Sequence, residues 1–275
     1  METQLTERQQ RELEYHRERA KEHESLLSRP FSYEILDRPS QRWWNAYWQM
    51  YAYLVRANLR GKKVLVVGCG YGEDAIRLSK LGADVTAFDL SAESLSLARA
   101  IANREGLNIR FDEMPAESLE YENDRFDCVL ARDILHHVDI PLAASELYRV
   151  SKNGAVFVIN EVYTHSSLDR IRHSRPIEKW LYPAMQSFIY GPGKPYITED
   201  ERKLNEKDLA QVLKFVDSVE MEKHFYLFVN RIVPDKIDLL AKLDRCVLAC
   251  AAPFGRLLAA RILLAGRIVK DAPGA

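Results

Sequence analysis

The chain has 275 residues, a net charge of −1, and 47% hydrophobic and 29% charged side chains. That length supports one large or two small domains with an ample core, and so even a charge balance argues against nucleic acid or another polyanion as a partner. Four cysteines with no C-x-x-C pair argue against a metal site or disulfide framework, and without an apolar signal region or an uncharged run near 18 residues the expected setting is a reducing cytoplasm.

Residues 6–28 are mostly charged or His. Thr6 with Gln9 forms a capping-box pattern, and Leu13, Tyr15, Leu26 and Leu27 are the obvious burial sites. Such a polar helix gains little from packing on its own chain, so it is either solvated or a cover over an active site. Arg29-Pro30 and Arg38-Pro39 punctuate a loop. Trp43, Trp44, Tyr47, Trp48, Tyr51 and Tyr53 then crowd into one helical stretch. A helix this aromatic is buried, either against a sheet or as the wall of a pocket for an apolar, ring-bearing or cationic ligand. Residues 1–60 are thus an N-terminal helical cap.

Val64-Leu65-Val66-Val67 has no polar alternation and reads as a strand buried on both faces of a parallel sheet. Gly68-Cys69-Gly70-Tyr71-Gly72 follows, and after it Ala75, Ile76, Leu78 and Leu81 share one helical face. A strand, a glycine turn and a helix begin a nucleotide-binding βαβ unit, in which glycines let the backbone approach a ligand. The next strand, residues 84–88, ends at Asp89 and Leu90, with the acid placed to accept ribose hydroxyls. The dinucleotide fingerprint requires a third glycine where this chain has Glu73, and a carboxylate at that helix start repels a pyrophosphate.

Here the chain resembles the class I S-adenosylmethionine-dependent methyltransferases, whose first motif reads like VLVVGCGYG. The resemblance implies S-adenosylmethionine as cofactor, with Gly68, Cys69, Gly70 and Gly72 around its methionine part and Asp89 with Leu90 at the ribose. The family usually carries an acid where this chain has Val66.

Ser91 caps a helix running to about Arg104, Gly106 ends it, and residues 108–111 are a third strand. Residues 115–121 and 125–131 resemble the family's D-A-E-x-L-P-F and F-D-x-V stretches. Pro115 replaces the common Asp, and the adenine contacts carry over to Ala116 and Glu117. After the fourth strand comes Ala131-Arg132-Asp133-Ile134-Leu135-His136-His137-Val138, at a sheet end where open α/β folds place ligands. The family's small-molecule branch reads L-H-H-V here. The resemblance implies that Ala131 and His136 close over the cofactor. His137 is the first candidate for a general base, with Glu161 and His165, beyond the fifth strand, behind it.

A helix over 140–151 and a strand over 155–159 complete this region. Residues 166–203 read as an insertion, aromatic at Trp180, Tyr182, Phe188 and Tyr190 and broken by Gly191-Pro192-Gly193-Lys194-Pro195, which suits a hinged cover over the acceptor. A helix from Glu206 and a hairpin over 218–222 and 224–229 would complete the sheet. From Ile237 to Val269 the Leu- and Ala-rich tail predicts two or three helices, with Arg256, Arg261, Arg267 and Lys270 making its end basic. Packing on the main domain, contact with a second subunit and attachment to anionic lipid all fit.

The expected architecture is α/β: a seven-stranded Rossmann-like doubly wound sheet over 61–236, with an N-terminal helical cap and a C-terminal helical extension over 237–275. The expected reaction is methyl transfer to O, C or N of a small, apolar or ring-bearing molecule (a lipid, prenylated or natural-product acceptor), with no metal. Two alternatives stand beside it: a non-catalytic scaffold that binds the nucleotide, and a methylation coupled to rearrangement or cyclisation. A homo-oligomer through the terminal helices is also compatible.

Overall fold

The computed structural model describes residues 6–11, 13–14, 24–181, 183, 203–216, 218–229 and 237–270. Its seven strands are β1 Lys63–Val67, β2 Asp84–Asp89, β3 Arg110–Glu113, β4 Phe126–Arg132, β5 Ser151–Val162, β6 Ser218–Phe225 and β7 Arg261–Arg267. They form one sheet in the order β3-β2-β1-β4-β5-β7-β6. β1 to β5 pair in parallel, and β7 runs antiparallel to both neighbours. The principal helices are α1 Ala46–Arg56, α2 Glu73–Lys80, α3 Ala92–Arg104, α4 Ile140–Val150, α5 Ser166–Arg172, α6 Glu206–Leu213 and α7 Asp238–Cys250.

The apolar run of β1 explains the layering. Successive side chains of a strand point to opposite faces, so Val64 and Val66 pack with α1, α2 and α3, and Leu65 and Val67 with α4 and α6. Both sides are core, as a near-continuous Val/Leu strand requires. The aromatic helix α1 is part of that core: Met50, Tyr51 and Leu54 are fully buried, and Asn45 caps it by accepting from the Tyr47 and Trp48 amides. Ser91 caps α3 through a bond from the Ser94 amide at 3.1 Å, and Asp139 caps α4.

Two expectations about the C-terminal third are corrected. Residues 261–267 are a strand rather than the end of a helical extension, and they sit between β5 and β6. Ile262-Leu263-Leu264-Ala265 is a short apolar run that periodicity alone cannot assign to helix or strand. It becomes β7 because neighbours on both edges satisfy its backbone. The expected hairpin is instead the single edge strand β6. Tyr226 then turns the chain away with φ +66°, and the carboxylate of buried Asp244 on α7 takes the amides of residues 227–229.

The basic tail is satisfied within the chain: Arg256 pairs with Glu222, Arg261 with Asp133, Arg267 with Glu220 and Lys270 with Asp124, at 2.6–2.7 Å. Within the expected insertion, α5 and a turn at Ile177–Leu181 are described, with Trp180 exposed. Tyr182, Phe188, Tyr190 and the Gly/Pro cluster at 191–195 lie outside the described residues, as does Tyr15. Among the described residues no helix is long and apolar enough to cross a membrane.

Candidate active site

A cavity of about 500 Å³ opens at the carboxyl ends of β1, β2 and β4. The glycine loop forms one wall. Gly68 and Gly70 both have positive φ, +57° and +51°, a region L side chains rarely enter. A Cβ on Gly68 would lie 2.5 Å from the Ile134 side chain, whereas one on Gly70 would meet nothing within 4 Å. The first glycine therefore lets the β4 loop close in, and the second leaves ligand space. Gly72 does not line the cavity. It caps α2 at φ +81°, with Ala98 2.9 Å from where its Cβ would stand, so its role is helix packing.

Asp89, at the end of β2, lines the cavity together with Leu90. One carboxylate oxygen accepts from the Gly70 amide at 2.8 Å and the other from the Ser91 amide at 3.0 Å. Both bonds lock the side chain in place, and a carboxylate has capacity for further donors. Met114, Pro115, Ala116 and Glu117 continue the same wall. Glu117 accepts from the Asp139 amide at 2.9 Å and from the Gln9 side-chain amide at 3.1 Å, so its carboxylate ties three segments together at the cavity edge. Ala131 is fully buried in β4 and does not reach the cavity; Arg132, Asp133 and Ile134 line it instead.

Leu135–His137 is a single 3-10 turn. His136 and His137 both line the cavity, their ring centroids 4.0 Å apart. Glu161 was expected as a second base, yet its side chain is 0% exposed and stands beneath this turn. One of its oxygens accepts from the Ile134 and Leu135 amides at 2.6 and 2.7 Å, and the other is 2.8 Å from His136 Nδ1. Strand alternation decides this: Glu161 points inward and its neighbour Val162 lines the cavity. Glu161 is thus built to hold the turn and orient His136. His165 is away from the cavity, capping α5 with Nδ1 accepting from the Ser167 amide at 3.2 Å.

Arg132, Asp133 and Arg261, which sequence reasoning missed, form a polar wall of the cavity, backed by a buried cluster around Asp74. Buried Asp74 accepts from Tyr51 at 2.6 Å, from Tyr47 at 3.3 Å and from Arg132 Nε at 2.6 Å. Burial, reinforced by the Asp74 charge, pushes both phenols far above their ordinary range, so they act as donors. Burial opposes the charge on Arg132, but Asp74 beside it more than offsets this. Arg132 ends β4 and Asp133 follows it, the position where ligand contacts concentrate in such sheets, and that signal was available in the sequence. Arg261, brought to the same wall by β7, had none. Val66 is core and 2% exposed, so β1 brings no carboxylate to the site.

The N-terminal segment closes the rim. Residues 7–11 are helical, and Thr6 and Gln9 make the reciprocal capping-box bonds. Arg8 donates to the backbone carbonyls of His136 at 2.9 Å and Val138 at 3.4 Å, and Gln9 lines the cavity. Because polar contacts rather than apolar burial hold this segment, deleting residues 1–14 is expected to raise the Kd for S-adenosylhomocysteine severalfold and to shift Tm by no more than about 2 °C. Calorimetry and a thermal melt check this; a large fall in Tm with unchanged affinity would make the segment ordinary structure.

The methyltransferase-domain family matches residues 64–154. The chain is similar to the ubiquinone/menaquinone biosynthesis C-methyltransferase of Allorhizobium ampelinum, at 32% identity over 56% of this chain and 63% of the relative. It also resembles the ubiquinone biosynthesis O-methyltransferase of Nitrosococcus oceani, at 42% identity over 31% of this chain and 36% of the relative. The chain therefore spans about a third of the length of such O-methyltransferases. Among solved structures, an S-adenosylmethionine-dependent methyltransferase from Methanosarcina mazei superposes with a TM-score of 0.53 at 18% identity, over 79% of this chain and 98% of that one, which speaks for the fold. The glycine loop and the acid ending β2 both fall within the matched stretch, and the likenesses agree that residues 64–154 are similar to an S-adenosylmethionine-dependent methyltransferase domain.

Proposed function

We propose that this protein transfers a methyl group from S-adenosylmethionine to an oxygen or carbon of a small, ring-bearing acceptor of the kind that quinone-biosynthesis methyltransferases are named for. The observation that carries this reading is Asp89, locked onto the Gly70 amide on the wall of a cavity that is also lined by the His136–His137 pair. The residues present fit the cofactor. Gly70 leaves space at the loop, Asp89 and Glu117 supply acceptors for hydroxyl and amino groups, and Met114 and Ala116 offer an apolar surface for a ring. The ionised side chains of the lining are mostly acids, which suits a ligand of net positive charge.

When bound, the cofactor supplies a methyl group on a sulfonium centre. The chain's own residues then have three tasks. Gly68, Cys69 and Gly70 bring backbone close to the methionine part, and Asp89 with Leu90 orients the ribose. The Arg8–Gln9 segment and the 135–137 turn exclude water and hold the acceptor in line, which is the main requirement of such a displacement. His137 takes the proton of a hydroxyl or acidic carbon acceptor, while Glu161 and His136 keep the turn in place.

Asp89→Ala tests the cofactor half. Losing charge-assisted hydrogen bonds worth about 1.5–3 kcal/mol each is expected to weaken S-adenosylmethionine by at least about tenfold in calorimetry while the melting curve persists. Unchanged affinity would remove Asp89 from the site. A screen of phenolic and quinol acceptors with labelled methyl donor tests the other half, and a fully inert panel beside tight cofactor binding would favour a non-catalytic role.

A further inference from the structure

Arg132 and Asp133 have no role in the reading above, although both are fixed by ion pairs on the cavity wall. Asp133 sits at φ +53°, in the left-handed region that non-glycine residues seldom adopt. It is held there by its own amide donating to the Asn160 carbonyl at 3.1 Å. Arg261 donates to one carboxylate oxygen at 2.7 Å, and Arg132 lies 3.3 Å from the other. Burial works against the carboxylate charge, but Arg261 and then Arg132 overcome it and hold the group below its ordinary range. The side chain is still 33% exposed, on the cavity wall. Arg132 is fixed by Asp74 through Nε, and its planar fork has further donors. An acid and a base, both rigid and both ionised, therefore stand side by side at the end of β4.

Their position along the sheet suggests their target. With the ribose held by Asp89 on β2, a ligand extending across β1 reaches β4 next, because strands lie about 4.8 Å apart. The group that follows ribose and sulfur in the cofactor is an α-amino acid, an ammonium and a carboxylate on one carbon. We propose that Asp133 and Arg132 form a clamp for that zwitterion, the Asp133 carboxylate taking the ammonium and the Arg132 guanidinium the carboxylate. The clamp deepens the cofactor reading and rests on it. Val66, buried in β1, leaves the ammonium without an acid from the glycine-loop strand, and Asp133 supplies one from the neighbouring strand.

The test is calorimetry with three ligands on wild type and Asp133→Asn; Asn is chosen because it tolerates positive φ. S-adenosylhomocysteine carries the whole amino acid, decarboxylated S-adenosylmethionine keeps the amine alone, and 5′-methylthioadenosine has neither. Asp133→Asn is expected to weaken the first two by about tenfold to a hundredfold and to leave the third within about twofold. Wild type alone should favour S-adenosylhomocysteine over 5′-methylthioadenosine by at least about tenfold, a readout that holds even if the variant does not fold. Equal wild-type affinities overturn the clamp, as does an Asp133→Asn protein that binds S-adenosylhomocysteine normally or loses 5′-methylthioadenosine equally. If wild type binds none of the three, the cofactor reading falls with it; if Asp89→Ala weakens all three and Asp133→Asn weakens none, the clamp alone falls.

Discussion

His137→Gln is expected to lower turnover by about 10²–10⁴-fold, the usual contribution of a positioned base, while cofactor affinity stays within a few-fold. His137 lines the cavity beyond the glycine loop, its ring 4.0 Å from that of His136. The amide of Gln keeps the size and a hydrogen-bonding end but cannot take a proton. Steady-state kinetics with a reacting acceptor decide it. Near-normal turnover of His137→Gln would take the base role from this residue and leave a reaction that runs on alignment alone.

Glu161→Ala carries the largest expected loss of stability. Its carboxylate is wholly enclosed and bonds two backbone amides and an imidazole. Truncation leaves buried donors without their acceptor, and removing one partner of such a pair costs about 3–5 kcal/mol. Urea unfolding should show a midpoint lowered at unchanged slope. Glu161→Gln separates support from chemistry. The amide oxygen can still accept from Ile134 and Leu135, but the amide nitrogen must face His136 Nδ1 as a donor, which reverses the tautomer of that ring. That variant is expected to stay folded with impaired turnover. If Glu161→Ala unfolds like wild type, the carboxylate does not hold the turn.

The local features legible in the sequence share one property: their physics acts over a few neighbouring residues. An unbroken Val/Leu run, a glycine loop and a helix with one apolar face specify β1, the turn and α2 within the motif itself. Asp89 was legible because it ends the very next strand. Ser91, Gly106 and the Thr6–Gln9 capping box were legible because caps satisfy local amides. The aromatic stretch of α1 could be read as buried, but its choice of core over pocket wall needed the sheet it packs on.

What required the tertiary structure is whatever joins distant segments. Gln9 and Arg8 reach the rim across more than a hundred residues. Arg261 reaches Asp133 only because residues 261–267 become a strand between β5 and β6. Whether Ile262–Ala265 is helix or strand depends on which unpaired edges are waiting, a property of the folded sheet and not of those four residues. The same applies to Glu161 and His165, two titratable groups in one short run. Strand alternation buries the first beneath a turn, and the second becomes the cap of the next helix. The chain's residues by themselves determined the cofactor-binding motif and the class of fold. Which charges face the cavity was decided by packing, because a side chain's direction is set by the neighbours that enclose it.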